Sequence, residues 1–254
     1  MEALSNSDLV IVDGSFYGFL YPAVRMKKEG LYGQQEEAIV KETFQNTETL
    51  LRSANALGIT KRSHTRAIGG YLVLHDRDSL FASIIDKLVL SLLMPANSVF
   101  NYRKPIGNNP VQIYTYLARH AQSAIWPEDP LTEAEKWVYA PYEPLNLDPS
   151  EFRGLRRIQV RAYEDVPPCE VEYLSRTPTS KLLEWIGQPD FFNKATNLPM
   201  ALDLIDNNVR LSSKFTDEFV SEVEGRVLEI IDKNGGNQET VRVFFTLLNP
   251  QKLN

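Results

Sequence analysis

Apolar residues along the chain fall into short runs whose period changes between breaks. Leu9-Val10-Ile11-Val12 runs straight into Asp13, Gly14 and Ser15. A short, largely β-branched run bounded by turn residues predicts a buried strand that ends on a carboxylate. Residues 16–32, with Gly18, Pro22 and Gly30, predict a mixed loop. Residues 34–57 predict a helix: Ile39, Leu50, Ala54 and Leu57 share a face, and Glu36 and Glu37 near its start suit the helix dipole. Gly58 is expected to stop that helix, and Gly69-Gly70 to break the chain again. Ser79 is placed to cap a further helix whose apolar side is Leu80, Ile84, Ile85, Leu88 and Leu92, ended by Pro95.

The second half predicts a strand around 111–117 and a long loop through Trp126, Pro127 and Pro130. Residues 155–164 and 170–174 predict a strand pair around Pro167-Pro168, with Ile158, Val160 and Ala162 alternating against Gln159 and Arg161. A short helix over 180–186 stops at Gly187. Pro199 opens a longer helix with Leu202, Ile205 and Val209 on its apolar face and Asp203, Asp206, Asn207 and Arg210 on its polar one. A helix over 216–232 and a strand over 241–248 complete the pattern.

Strands interleaved with helices imply an α/β class. The 254 residues, 43% hydrophobic and 24% charged, suffice for one large domain. With a net charge of -6, any nucleic acid must be gripped by a local basic patch. The single cysteine, Cys169, excludes an internal disulfide and a multi-cysteine zinc site, and suits a reducing, cytoplasmic setting. The run 88–94 is far too short to span a bilayer, and no basic-then-apolar signal pattern opens the sequence.

Four constellations carry possible chemistry. Asp13 stands at a strand end, where a rigid backbone can aim a metal-binding or catalytic carboxylate; an ordinary Asp-Gly turn has the same pattern. The stretch Thr60-Lys61-Arg62-Ser63-His64-Thr65-Arg66 offers three permanent charges and three hydroxyls to phosphate oxygens, or is a solvated loop. His75, Asp76 and Asp78 suit either a metal or a turn before a helix. Asp206 and Arg210 are spaced for a helix ion pair, and Asp206 is a second possible metal ligand. No phosphate-binding glycine loop, nucleophile elbow or HExxH is present, and His120, in an apolar run, reads as structural.

The order of segments carries a resemblance. Val-Asp-Gly-Ser at 12–15, a long helix, Gly-Ile-Thr-Lys-Arg-Ser at 58–63, Arg-Ala-Tyr-Glu-Asp at 161–165, Glu-Val-Glu-Tyr at 170–173 and Leu-Pro-Met-Ala-Leu at 198–202 resemble the later motifs of the NurA nuclease family. The resemblance implies one NurA-like domain over 1–254 with an RNase H-like mixed sheet flanked by helices. It implies a divalent-metal nuclease, using Mn2+ or Mg2+, that acts on DNA ends or single strands. The implied partners are DNA, a HerA-type hexameric ATPase and a second copy in a homodimer, in DNA repair or phage defence. Asp13 and Asp206 would be the catalytic metal ligands, and Lys61, Arg62, Ser63 and Arg66 the DNA contacts.

Two departures qualify it. Lys61-Arg62-Ser63 give Asp13 the context of the family's later Asp-bearing strand, so the earlier strand and a metal-binding glutamate are expected ahead of Met1. The alternative makes Asp13 the earlier aspartate and one of Glu36, Glu37, Glu42 or Glu48 the glutamate. Leu198 and Asp206 stand where the family has tyrosine and histidine. A NurA-like subunit that binds DNA and the ATPase without cutting is therefore the second reading.

Overall fold

The computed structural model describes residues 8–53, 55–76, 80–123 and 126–209. Its elements in chain order are β1 (Val10–Asp13), α1 (Leu20–Lys28), α2 (Gln34–Ser53), β2 (Ala56–Thr60), α3 (Ala67–Val73), α4 (Asp86–Leu93), β3 (Ser98–Asn101), α5 (Arg103–Ile106), α6 (Val111–Arg119), α7 (Pro130–Tyr139), β4 (Leu155–Arg161), β5 (Cys169–Leu174), α8 (Thr179–Ile186) and α9 (Met200–Val209). The chain divides into two compact units, 1–203 and 204–254. The second is described only through residue 209, and the expected helix over 216–232 and strand over 241–248 lie outside the described residues.

This is a mixed α/β architecture with a five-stranded sheet in the order β1-β2-β5-β4-β3. β1 and β2 are parallel, joined through α1 and α2, because a parallel pair needs a crossover rather than a hairpin. The β2–β5, β5–β4 and β4–β3 pairs are antiparallel. One face is apolar: Leu57, Ile59, Ile158, Val160, Val171 and Tyr173 pack under Leu182, Trp185 and Ile186 of α8. The opposite face is divided. At one side Ala56, Leu155 and Leu174 meet Leu20 and Ala23 of α1 and Phe44 and Leu51 of α2. At the other, Tyr102 packs with Ala67 of α3, Ile113 and Leu117 of α6 and Ala134 of α7.

Several elements differ from the sequence pattern. The helix expected to reach Leu57 ends at Ser53, and Gly58 lies inside β2. A Cβ at Gly58 would stand 2.9 Å from the Gly14 carbonyl oxygen and 3.2 Å from the Phe16 ring, so this glycine admits a neighbouring loop and stops nothing. Gly69 and Gly70 lie within α3, where a Cβ at Gly70 would overlap the Tyr114 backbone of α6. Gly70 lets α3 and α6 touch, and Gly69 admits the backbone of Phe81, so neither breaks the helix. Residues 111–117, expected as a strand, form α6 after Pro110. Residues 20–28, expected as loop, form α1.

The expected apolar side of the 80–92 helix faces outward. Leu80, Leu88 and Leu92 are exposed, while α4 buries Asp86, Val89 and Leu90. On α9 Leu202 is buried as expected, but Ile205 is exposed and Asp203 buried. The strand pair 155–164 and 170–174 is present as β4 and β5.

Candidate functional site

β1 and β2 run parallel, so Asp13 and Thr60 leave the sheet at the same edge. Carboxyl ends of strands in open α/β sheets are where loops gather around ligands. Gly14 takes φ +107°, a left-handed conformation open to glycine, and its N–H reaches the Ile59 carbonyl at 2.8 Å. Beyond that turn the Ser15 hydroxyl and the Phe16 N–H both donate to Glu172 Oε2 at 2.9 Å. The Asp13 side chain points the other way, half-exposed, and pairs with Lys61 Nζ at 2.9 Å.

The loop after β2 alternates like a strand. Ser63 and Thr65 are buried, whereas Arg62 and His64 are exposed and Lys61 and Arg66 are partly so. Ser63 Oγ donates to Glu170 Oε2 at 2.8 Å. Thr65 Oγ1 accepts from Arg157 Nη1 at 2.9 Å. The Thr65 carbonyl accepts from the Asp86 N–H at 2.8 Å, and the Lys61 carbonyl from Lys87 Nζ at 3.3 Å. The Arg66 N–H donates to Thr115 Oγ1 of α6 at 3.1 Å. The loop is thus tied to β5, β4, α4 and α6, and its cations stand on a fixed backbone. A grip held this way loses little freedom on binding.

The anchors form one buried polar cluster at the centre of the divided sheet face. Arg157 donates to Glu170 Oε1 at 2.7 Å and Glu172 Oε1 at 3.0 Å, and it also hydrogen-bonds the Tyr17 hydroxyl. Gln159 donates to Glu170 Oε2 at 2.8 Å. Both carboxylates have zero exposure and Arg157 8%. A buried charge in this setting is tolerated only when paired and hydrogen-bonded, which every one of these is. Burial alone lowers the tendency of Arg157 to hold its proton, but the Glu170 and Glu172 carboxylates outweigh it, so the guanidinium stays protonated. Burial pushes the Tyr17 phenol well above its ordinary value, against the pull of Arg157.

Behind the loop, Asp86 is fully buried. Its carboxylate accepts from the Ala67 N–H at 2.8 Å and the Ile68 N–H at 3.1 Å, capping α3, and bonds the Tyr102 hydroxyl. Burial raises its pKa to about 6 despite those donors. An apolar cavity of about 620 Å3 opens between α3, α4 and β3, on the far side of Tyr102.

Of the expected site residues, the structure brings Asp13 and Lys61 together at one end of the parallel pair, and Arg62 and Arg66 follow in the loop that leaves β2. Ser63, expected to hold phosphate, instead turns inward to Glu170, because the strand-like alternation of the loop sends every second side chain to the core. Asp206 is exposed on α9, within the second unit, and Arg210 lies outside the described residues. His75 and Asp76 follow α3, with His75 edge-on to Tyr71; Asp78 and Ser79 lie outside the described residues. His120, expected to be structural, is exposed at the end of α6.

Among the described residues no three His, Cys, Asp or Glu side chains gather where a metal ion could be held. The carboxylates closest in sequence to a nuclease role are otherwise engaged: Asp13 by Lys61, and Glu170 and Glu172 by Arg157. The described donor set does not fit a divalent-metal site by itself.

Sequence reasoning passed over Arg157, Glu170 and Glu172. Their signal was available: Glu170 and Glu172 stand two apart in an otherwise apolar strand, so both face one side of the sheet, and Arg157 and Gln159 repeat the spacing on the partner strand.

Fold and site together define a mixed α/β protein that presents a clamped basic loop at the edge of a parallel strand pair. Comparison with protein-family models, with curated proteins and with solved structures gives no match for this chain.

Proposed function

We propose that the chain is a DNA-binding component of the NurA type, with an RNase H-like core, that grips the phosphate backbone through Lys61, Arg62 and Arg66. One observation carries this reading: loop 61–66 sends its hydroxyls into a buried anchor, leaves Arg62 exposed and keeps Lys61 and Arg66 partly exposed beside it. Cations on a fixed backbone suit phosphate oxygens, and backbone contacts position a nucleic acid without reading its sequence. Asp13 holds Lys61 at the start of this loop. The motif order at 12–15, 58–63, 161–165 and 170–173 supports the NurA assignment, and with it a HerA-type ATPase and a second copy as partners.

Two readings of activity follow. In one, the chain cuts DNA with Mn2+ or Mg2+, Asp13 supplying one ligand and the others coming from outside the described residues or from a partner chain. In the other, the chain binds without cutting; the lack of a three-carboxylate cluster among the described residues favours it.

The test pairs binding with cleavage. Affinity for labelled DNA is measured against salt for the wild type and for Lys61→Gln/Arg62→Gln, and nuclease activity with manganese for the wild type and Asp13→Ala, each with and without a HerA-type ATPase. Loss of two phosphate contacts lowers the slope of log affinity against log salt by about 1.8. No DNA binding by the wild type, or an unchanged slope in the double variant, refutes the grip. Cleavage abolished by Asp13→Ala selects the nuclease; binding without cleavage under every condition selects the non-cutting subunit.

A further inference from the structure

A second surface lies one helix away from the basic loop. The rings of Tyr116 on α6 and of His120 just after it stack with centroids 4.0 Å apart and planes 22° apart. Trp137 of α7 lies near-parallel to Tyr116, at 15° with centroids 6.1 Å apart. Trp137 is 55% exposed, the largest aromatic side chain so displayed among the described residues. The rings border a cavity of about 270 Å3 whose walls include Trp126, Pro127 and Glu133. A second groove, of about 430 Å3, opens along α7 past Trp137, Lys136 and Tyr139, with Glu133 and Glu143 at its walls.

Exposing this much aromatic surface costs the free protein favourable burial, and nearly parallel rings present flat π faces. Ring orientation narrows the choice of ligand. A cage for a quaternary ammonium surrounds the cation with inward-facing rings and leaves a carboxylate to meet it. Here the rings are near-parallel, and the Glu133 carboxylate is taken by Trp137 Nε1 at 3.2 Å and Lys136 Nζ at 3.3 Å. A flat, uncharged partner suits the surface better. The lysine and the exposed Arg119 beside His120 provide positive charge next to the stack.

Position decides what the flat partner is. Thr115 of α6 accepts the Arg66 N–H of the basic loop, and Tyr116 is the next residue of the same helix. The end of the basic loop is therefore tied to the helix that carries Tyr116. We infer that Tyr116, His120 and Trp137 form a base-stacking platform for single-stranded DNA whose backbone is held by loop 61–66. This inference rests on the DNA-binding reading above and assigns the bases of the single strands that the resemblance implies to this surface. Bases locked in a duplex cannot lie on these rings, whereas every unpaired base has a face to stack.

The test uses the full chain with a labelled oligothymidylate and a duplex of equal length, each over a salt series. Base–aromatic stacking predicts that Trp137→Ala weakens oligothymidylate binding by about 5- to 150-fold. Its salt slope stays that of the wild type, and duplex affinity is unchanged. Trp137→Phe, which keeps a ring, restores most of the loss. Lys61→Gln/Arg62→Gln behaves oppositely, weakening both DNAs and lowering the slope. Unchanged oligothymidylate affinity in Trp137→Ala, or equal loss on the duplex, overturns the platform while leaving the grip intact. A wild type that binds neither DNA overturns both. Preferred binding of an oligouridylate that Trp137→Ala abolishes overturns the assignment to DNA.

Discussion

Replacing Arg157 by Met tests the buried cluster most directly. The substitution keeps length and apolar volume but removes four hydrogen bonds: to Glu172 at 3.0 Å, to Glu170 at 2.7 Å, to Thr65 at 2.9 Å and to Tyr17. Glu172 keeps the Ser15 hydroxyl and Phe16 N–H, and Glu170 keeps Ser63 and Gln159, but neither keeps a counter-charge from this cluster. Two carboxylates with no exposure then remain uncompensated. Breaking a buried ion pair by removing one partner costs about 3–5 kcal/mol. A whole domain is stable by about 5–15 kcal/mol, so the variant sits near the edge of folding. With a urea m-value of about 2 kcal/mol/M, the midpoint falls by about 1.5–2.5 M. Circular dichroism through a urea series measures it. The triple variant Arg157→Met/Glu170→Gln/Glu172→Gln removes the stranded charge along with its partner and recovers part of the loss. A loss under about 1 kcal/mol in the single variant, or a triple variant no more stable than the single one, refutes the account. DNA affinity supplies a second readout: Thr65 loses an anchor, so binding weakens in the single variant although every cation of the loop is intact.

Two further outcomes follow from the same geometry. Asp86 has a folded pKa of about 6 against an ordinary 3.8, so the folded state holds this proton more tightly than the unfolded one. Its contribution is fully present below the unfolded value and is lost as pH rises through about 6, a difference of about 3 kcal/mol. Urea unfolding from pH 4 to 7.5 should show wild type losing stability relative to Asp86→Asn by about 2.4 kcal/mol, the share of that difference lying above pH 4, and a gap that does not change with pH removes the assignment. Gly70→Ala drives a methyl into the Tyr114 backbone. The overlap costs more than the helix propensity gained, leaving a net loss of about 2 kcal/mol and a Tm lower by about 4–8 °C; calorimetry showing an equal or higher Tm would contradict the close α3–α6 contact.

The local sequence determined the elements whose signal is short-range. The run 9–12 before Asp13, the alternating strands at 155–161 and 169–174, and the helices at 179–186 and from Pro199 are each legible from period and punctuation alone. Charge and turn chemistry marked Asp13 and the stretch 60–66 as candidates, and only the tertiary structure paired Asp13 with Lys61. Tertiary structure decided what a residue's neighbour in space determines. Gly58, Gly69 and Gly70 look like breaks in one dimension, yet each makes room for a backbone or ring from elsewhere in the chain. Residues 111–117 have branched and aromatic side chains suited to a strand, but become a helix because their apolar face is covered by α3 and α7. Ser63 is a surface hydroxyl by composition and an anchor by position, since Glu170 lies beneath it across 107 residues of sequence. The paired charges of Arg157, Glu170 and Glu172 were visible as a spacing on each strand. Only the β4–β5 register, setting Arg157 opposite Glu172 and Gln159 opposite Glu170, makes them one buried cluster that holds two loops in place.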